Sequence, residues 1–424
     1  MTPPAIQVRI WGKNVGAVAF DPQANAYAFE YYPGWVKGGV ELAPLQMPLR
    51  GRRRFTFPEL ARPTYQGLPG MLADALPDRF GNALIDAWMA RKGIRKDQVT
   101  ALDRLAYMGR RGAGALEFRP ALGSVSDAKT PLRMARLVEE ARRAVQGSIE
   151  GDRAAGLALA EIIRVGTSAG GARAKAVIAW NPATQELRSG QFEVPEGFQH
   201  WLLKFDGLTG GGEFGDPAGH GRVEYAYHLM ARAAGIEMAD CRLLEEHGRA
   251  HFMTRRFDRE AGGKVHLQSL CALAHLDFNQ VGVHAYGQAF MTLKALSLAP
   301  ESTDELFRRM AFNVMARNCD DHPKNVAFIL RPGGTWRLAP AYDLTFSYRP
   351  GSTWVSQQFM SVNGRFQGIT RQDFLTEADR FSVRNPAGIL AEVSAALDAF
   401  PEWAAKAELA PDKAEGVARQ FLRL

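Results

Sequence analysis

The stretch ARNCDDHPKN, residues 316–325, sets two adjacent carboxylates, a histidine, a lysine and an asparagine directly behind an apolar helical pattern. Such a stretch is either a solvated loop that caps a helix or a set of reactive groups mounted on the end of a packed element. The residues before it favour a buried helix, because Leu306, Phe307, Met310, Ala311, Val314 and Met315 recur on one face. The helix is expected to begin at STDE, where Ser302 and Glu305 have the spacing of a capping box.

The residues that follow decide between the two. VAFIL (326–330) and WRLAP (336–340) are strand-like and are joined by the turn-rich RPGGT, so a hairpin is expected. The hairpin returns the chain to the neighbourhood of Asn325 and places Asp343 of AYDLTFSY just beyond it. An amide and a carboxylate at the open end of a hairpin can share a divalent cation. Oxygen donors of this kind suit Mg²⁺, which keeps waters and takes substrate phosphates as further ligands. Asp320 and Asn325 stand five positions apart. That is the order used in phosphoryl transfer, where an Asp accepts the proton of the acceptor hydroxyl while an Asn and a later Asp hold metal. The spacing selects Asp320 as the base and leaves Asp321 as a neighbour that steadies the loop.

Farther from the loop, Lys204 in HWLLKF is a lysine inside an apolar strand pattern. It suits an ammonium that binds phosphates, or else a snorkelling edge lysine. Glu224 opens the next helical pattern and could pair with Lys204, or simply favour the helix dipole. GTSAGGARAK (166–175) offers small residues and exposed amides before Lys175 enters a strand. It is a candidate phosphate loop or a tight turn. Ala172 stands where a Walker A motif has lysine, and GxGxxG is absent.

The bulk properties restrict the class. A chain of 424 residues suggests two or three domains or lobes. With 46% hydrophobic and 23% charged residues, the composition is that of an ordinary globular protein. No apolar run approaches the ~18 residues that span a bilayer, and MTPPAIQVRIWG lacks a signal-peptide layout. A cytoplasmic protein with no membrane contact is expected. Cys241, Cys271 and Cys319 suggest neither a disulfide framework nor a zinc site. His266, His275 and His284 recur too widely for ligand spacing. A formal charge of +7 and a pI of about 9.3 favour anionic partners. The clusters Arg52–Arg54, Arg110–Arg111 and Arg142–Arg143 carry no zinc-finger, basic-zipper or RNA-binding signature.

Short strands are expected in QVRIWGKNVGAVAF and AYAFEYYPGW, and a helical stretch from about Gly70 to Lys92. ALGSVSDAKT (121–130) reads as a linker, and PLRMARLVEEARRAV as a helix. KAVIAWN, HWLLKF and AHFMTRRF read as strands, with YAYHLMARAAGI a helix ended by Gly235. Between Asp206 and Gly221 seven glycines leave little to bury, so a mobile segment is expected. From about residue 265 the chain should be mostly helical.

In this order the motifs GTSAGGARAK, WLLKF, VEYAYHLMARAAGIEM, RRFDR, HLQSL, DDHPKN and PAYDLTFSY resemble the HipA-type serine/threonine kinases, toxins of HipBA-like type II toxin–antitoxin systems. VGAVAFD, LPGMLADALPDRFGNALI and GAGALEF resemble the amino-terminal subdomain of the same family, so the resemblance covers nearly the whole chain. It implies Asp320 as catalytic base, Asn325 and Asp343 as metal ligands, and Lys204 on the nucleotide phosphates. Ser168, Gly170, Gly171 and Lys175 would form the phosphate loop, with His322 and Lys324 touching nucleotide or the transferring phosphate. Backbone groups around Arg256 and Phe257 would meet adenine, and Asp258 the ribose. Arg255 stands where the family's hinge has an acidic residue. Gln268 would lie near the metal-binding Asp. Ser168 would be autophosphorylated, with Thr167 as a second acceptor.

The expected fold is therefore α+β: a two-lobed protein-kinase-like fold with a β-rich amino-terminal subdomain and a largely helical carboxy-terminal lobe. The expected boundaries are 1–120 for the amino-terminal subdomain, 121–258 for the kinase amino-terminal lobe and 259–424 for the helical lobe. ATP and Mg²⁺ are the implied cofactors. The implied partners are a protein substrate such as an aminoacyl-tRNA synthetase, a HipB-like helix-turn-helix antitoxin and, through it, DNA. A small-molecule phosphotransferase and an inactive scaffold binding an antitoxin–DNA complex are the alternatives. The presence of every expected catalytic group weighs against the scaffold.

Overall fold

The structure is a computed structural model that describes residues 3–77, 79–122, 132, 175–206, 219–246, 248–261 and 263–424. The first sheet has the order β4-β3-β2-β1-β5 and is antiparallel throughout. Its strands are β1 (Ala5–Ile10), β2 (Lys13–Asp21), β3 (Ala26–Tyr31), β4 (Arg54–Phe55) and β5 (Leu116–Arg119). In β1 the alternate residues Ile6, Val8 and Ile10 are wholly buried, the pattern of a strand with one face on a core. Trp11 and Gly12 both have positive φ and turn the chain into β2, as a two-residue hairpin with strand-matching twist requires. The helical stretch expected from Gly70 is two helices, Gly70–Ala73 and Arg79–Ala90, with Pro77 between them.

The second sheet has the order β7-β6-β8-β10-β9, also antiparallel. It contains β6 (Lys175–Trp180), β7 (Leu187–Ser189), β8 (Gln199–Lys204), β9 (Cys241–Glu246) and β10 (Arg249–Arg255). The helix His220–Ala233 crosses its back, starting five residues before the expected YAYHLM and ending ahead of Gly235, which has a φ of 81°. A small hairpin, β11 (Arg259–Glu260) and β12 (Gly263–Lys264), follows. The linker and helix expected over 121–145 lie outside the described residues except for Ala121, Leu122 and Leu132.

Beyond this hairpin helices dominate, with one three-stranded sheet of β13 (His266–Ser269), β14 (Ala327–Leu330) and β15 (Trp336–Leu338). β14 and β15 form the expected hairpin, with Phe328 opposite Leu338 and Leu330 opposite Trp336. β13 adds a partner that its short sequence did not announce. The helix leading to the opening stretch runs Pro300–Met315, with Ala299 as N-cap. The expected Ser302–Glu305 capping box does not form. Pro300 starts the helix two residues earlier, because its fixed φ and missing N–H suit a first turn. Glu305 instead accepts from Arg309 Nε at 2.7 Å and from the Glu237 N–H at 3.1 Å. Leu306, Phe307, Met310, Ala311, Val314 and Met315 are all buried, as their spacing requires. One apolar core extends from Ile6 to Phe421, so the first sheet packs directly on the helical part. Among the described residues, no helix is long and apolar enough to cross a membrane.

Candidate active site

The Pro300–Met315 helix ends in a loop tied by three hydrogen bonds. The Asp320 N–H donates to Ser347 Oγ at 3.0 Å, and Ser347 Oγ donates to Asn318 Oδ1 at 3.2 Å. Asn325, in the 3₁₀ turn Pro323–Asn325, donates from Nδ2 to the Asp320 carbonyl at 2.7 Å. The adjacent carboxylates then go to opposite environments. Asp321 is 1% exposed and accepts from Tyr286 OH at 2.6 Å, the Phe359 N–H at 2.7 Å and Gln358 Nε2 at 3.2 Å. Burial pushes its carboxyl up to about 6, against those three donors. The Asp320 side chain is 37% exposed and, among the described residues, accepts only from the Trp354 indole, at 2.6 Å through Oδ1. Asp321 anchors the loop, and Asp320 stands on a cleft.

Across that cleft, Lys175 of β6 and Lys204 of β8 sit directly opposite each other in the strand register. Two buried ammonium groups so placed repel each other unless carboxylates intervene. Lys204 Nζ pairs with both Glu224 and Asp343, and Lys175 Nζ lies 4.0 Å from Asp343 Oδ2. Glu224 reaches this point because Gly221 lets its helix lie against β10. A Cβ at Gly221 would stand 1.9 Å from the Ala250 carbonyl oxygen. Asp343 is delivered by the β14–β15 hairpin with a left-handed φ of 55°, uncommon for a residue with a β-carbon. Burial alone would raise the Asp343 carboxyl, but Lys175 and Lys204 hold it well below the usual carboxylate range. Burial likewise opposes the Lys204 ammonium, and Asp343 with Glu224 keep it charged.

An apolar cleft, about 1190 Å³ of space open to solvent, runs from these charges to the β10–β11 connection. Leu202 and Phe252, Leu267 and Leu344, Met71 of the Gly70–Ala73 helix and Leu116 of β5 line it. This is an apolar slot with polar groups at one end, a form suited to a base and its phosphates. A second cleft, on the far side of Lys204 and Asp343, contains Asp320, Tyr348 and Val417.

The other expected site residues separate into groups. At the hinge, the Arg256 N–H is committed to the His200 carbonyl at 2.9 Å. The Phe257 N–H and the Arg256 and Phe257 carbonyls have no hydrogen bond among the described residues. Asp258 does not present free oxygens to a ribose. Its carboxylate accepts from Arg256 Nε at 2.8 Å and Nη2 at 2.6 Å, from Arg259 Nη1 at 2.9 Å and from the Gly114 N–H at 2.7 Å. Lys324 lines the cleft, with Nζ 4.6 Å from the Phe278 ring.

His322 is buried behind Asp320 among Phe278, Phe359 and Trp354, with Nε2 3.8 Å from Asp320 Oδ1. Burial lowers its pKa, so it is neutral at pH 7. Gln268 does not line the cleft that holds Asp343. Leu267 and Ser269 face the cleft, so strand alternation turns Gln268 toward the Leu42 carbonyl and His266. Thr167, Ser168, Gly170 and Gly171 lie outside the described residues, as do residues 207–218 of the glycine-rich stretch. At its ends Asp206 accepts from the Gly219 and His220 N–H groups at 2.9 and 3.2 Å, capping the helix that carries Glu224. Sequence reasoning missed Asp206, Ser347 and Trp354. Each acts on a group 13 to 34 positions away, a range at which no local spacing is informative.

Residues 6–119 match the HipA N-terminal domain, and residues 167–403 match the HipA-like C-terminal domain. The fold is similar to that of HipA from Shewanella oneidensis MR-1, in a structure of the toxin–antitoxin system HipA, HipB and its operator DNA. That similarity has a TM-score of 0.67 at 17% identity and covers 98% of this chain and 94% of that one. The Helicobacter pylori proinflammatory kinase CtkA is 12% identical over 59% of this chain and 95% of its own. Its TM-score of 0.34 is too low to bear on the fold. No curated protein matches the chain in sequence. The two matched segments run from Ile6 to Trp403, and the chain belongs to the HipA family.

Proposed function

We propose that this chain is an ATP- and Mg²⁺-dependent serine/threonine-protein kinase and the toxin member of a toxin–antitoxin pair. The observation that carries this reading is the double pairing of Lys204 with Glu224 and Asp343 at the end of an apolar cleft, with Asp320 beside it. The donor set fits the cation. Asn325 commits Nδ2 to the Asp320 carbonyl, which leaves Oδ1 with no hydrogen bond among the described residues. Asn325 and Asp343 supply two hard oxygen ligands, a set that suits Mg²⁺ sharing phosphate and water. No group of three or more His, Cys, Asp or Glu residues able to hold a metal occurs among the described residues.

Bound in the cleft, MgATP supplies the transferable phosphoryl group. Lys204 and Lys175 would bind its phosphates, Asp343 and Asn325 would hold the cation, and Glu224 would keep Lys204 paired beside them. The free backbone groups of Arg256 and Phe257 are placed to read the adenine edge, and Lys324 to offset phosphate charge. Asp320 takes the proton of the acceptor hydroxyl as that oxygen attacks phosphorus.

In this reading residues 1–120 form the amino-terminal subdomain, 121–258 the smaller kinase lobe and 259–424 the helical lobe. The structure of the Shewanella relative contains HipB and operator DNA. That supports a helix-turn-helix antitoxin as partner here, with DNA reached through it. The family resemblance implies a translation-related substrate such as an aminoacyl-tRNA synthetase, and hence the cytoplasm. It also implies that Ser168 is autophosphorylated, which would switch the enzyme off because a phosphoserine adds about −1.5 to −2 charges where phosphates must bind. Mass spectrometry after incubation with ATP should find phosphate on Ser168 in wild type and none in Asp320→Asn. Titration calorimetry with ATP and Mg²⁺ tests the site itself. Wild type should bind, and Asp343→Ala should lose the Mg²⁺-dependent part. Absence of binding, or binding unchanged by Asp343→Ala, overturns the assignment.

A further inference from the structure

We infer that Trp354 positions the general base: its indole N–H fixes one oxygen of Asp320 and so aims the other at the acceptor hydroxyl. This rests on the kinase reading of the same site. A carboxylate turns easily about its last torsion, because that torsion is broad and two-fold. Asp320 Oδ1 accepts from Trp354 Nε1 at 2.6 Å, and His322 Nε2 stands 3.8 Å from the same oxygen. Oδ2 has no hydrogen bond or ion pair among the described residues. One oxygen is held and the other is open, on a side chain that lines the acceptor-side cleft.

The indole is itself firmly mounted. Its ring lies 5.2 Å from Phe359 and 6.3 Å from His322, centre to centre. The N–H groups of Trp354 and Val355 both donate to Ser352 Oγ, at 3.1 and 3.2 Å, which tightens the turn that carries it. Trp354 lines neither cleft, whereas Val355 lines the acceptor side. The indole therefore reaches Asp320 from behind and leaves the acceptor's approach open. A residue that plugged the site would stand in the cleft.

Indole also suits the chemistry, since Nε1–H donates and cannot accept. In the transfer step the acceptor hydroxyl's proton passes to Asp320 Oδ2. The acceptor oxygen bonds to the γ-phosphorus, and the bond from that phosphorus to the β,γ-bridging oxygen breaks, leaving ADP. Trp354 keeps its proton throughout and acts only through Asp320.

Two replacements test this: Trp354→Phe, and substitution of Trp354 by the isosteric β-(3-benzothienyl)alanine, which keeps the ring shape and removes the N–H. The readout is the initial rate of phosphate incorporation from γ-labelled ATP, with ATP affinity measured separately. Both should lower kcat by about 10- to 100-fold with KM for ATP and ATP affinity within about twofold of wild type, because only a reacting group is misplaced. In an Asp320→Asn background neither should lower the residual rate further. A benzothienyl variant at the wild-type rate, or an equal loss in the Asp320→Asn background, overturns the inference and leaves Trp354 a packing residue. Wild-type transfer by Asp320→Asn would instead overturn the kinase assignment of the base.

Discussion

Residues 318–347 and the hinge of residues 255–264 each carry six charged side chains, with opposite arrangements. At the hinge the charges satisfy one another. Asp258 accepts from Arg256, Arg259 and the Gly114 N–H, Arg259 also donates to the Gly112 and Gly114 carbonyls, and Lys264 donates to the Arg110 carbonyl and Glu117. These bonds tie the hinge and the β11–β12 hairpin to β5 of the first sheet and the turn before it. Burial, and then Arg259, push Lys264 down to about 8, and Glu117 keeps it from falling further. In residues 318–347 the Asp320 backbone is tied as well, yet Asp320 Oδ2 and Asn325 Oδ1 point to no protein group among the described residues. Open valence beside a cleft separates a site from a staple, and the number of charges does not.

The contrast can be broken by substitution. Asp320→Asn should give the largest effect, a ~10²–10⁴-fold loss of phosphoryl transfer with ATP affinity and melting temperature kept. Rate and calorimetry on one preparation check it. Asp258→Ala should do the reverse. Leaving Arg256 and Arg259 buried without their carboxylate should cost about 3–5 kcal/mol of stability in urea unfolding, while ATP affinity of the folded protein holds. A selective loss of ATP affinity without loss of stability would restore Asp258 to ribose binding.

Asp321 supplies a pH test. Its folded pKa of about 6 lies above the unfolded value near 3.8. The native state therefore holds the proton longer, and the contribution of this group is full below pH 4 and lost as pH rises through 6. The stability difference between wild type and Asp321→Asn should fall between pH 4 and pH 7 by on the order of 3 kcal/mol. A flat difference would mean that the three donors hold Asp321 ionised throughout. Last, Glu260→Gln removes the partner of Arg331, a pair 38% and 42% exposed. It should change the unfolding free energy by no more than about 1 kcal/mol.

Sequence spacing carried the fold and the layout of the 316–325 loop because both are local. The apolar face from Leu306 to Met315, the β14–β15 hairpin and the five-residue step from Asp320 to Asn325 each lie within a few turns of chain. The two adjacent aspartates could be ranked by spacing alone, whereas their environments come from Trp354 and Phe359, more than thirty residues on. Gln268 was misplaced because a one-residue shift in a strand reverses the face, and nothing in HLQSL fixes which face meets the cleft. Asp258 was read as a ligand-binding residue because its partner at Gly114 is 144 positions away. Ser302 was read as a cap because a capping-box spacing does not exclude Pro300 as an earlier start.

The central claim is that the open oxygens of residues 320–343 form a phosphoryl-transfer site, and its most direct measurement is incorporation of label from γ-labelled ATP with Mg²⁺. Wild type, Asp320→Asn and Asp343→Ala would be compared at matched folded concentration. The account requires label in wild type, a loss of at least ~10²-fold in Asp320→Asn with ATP still bound, and loss of both transfer and Mg²⁺-dependent binding in Asp343→Ala. No incorporation by wild type, or equal incorporation by all three, would contradict it.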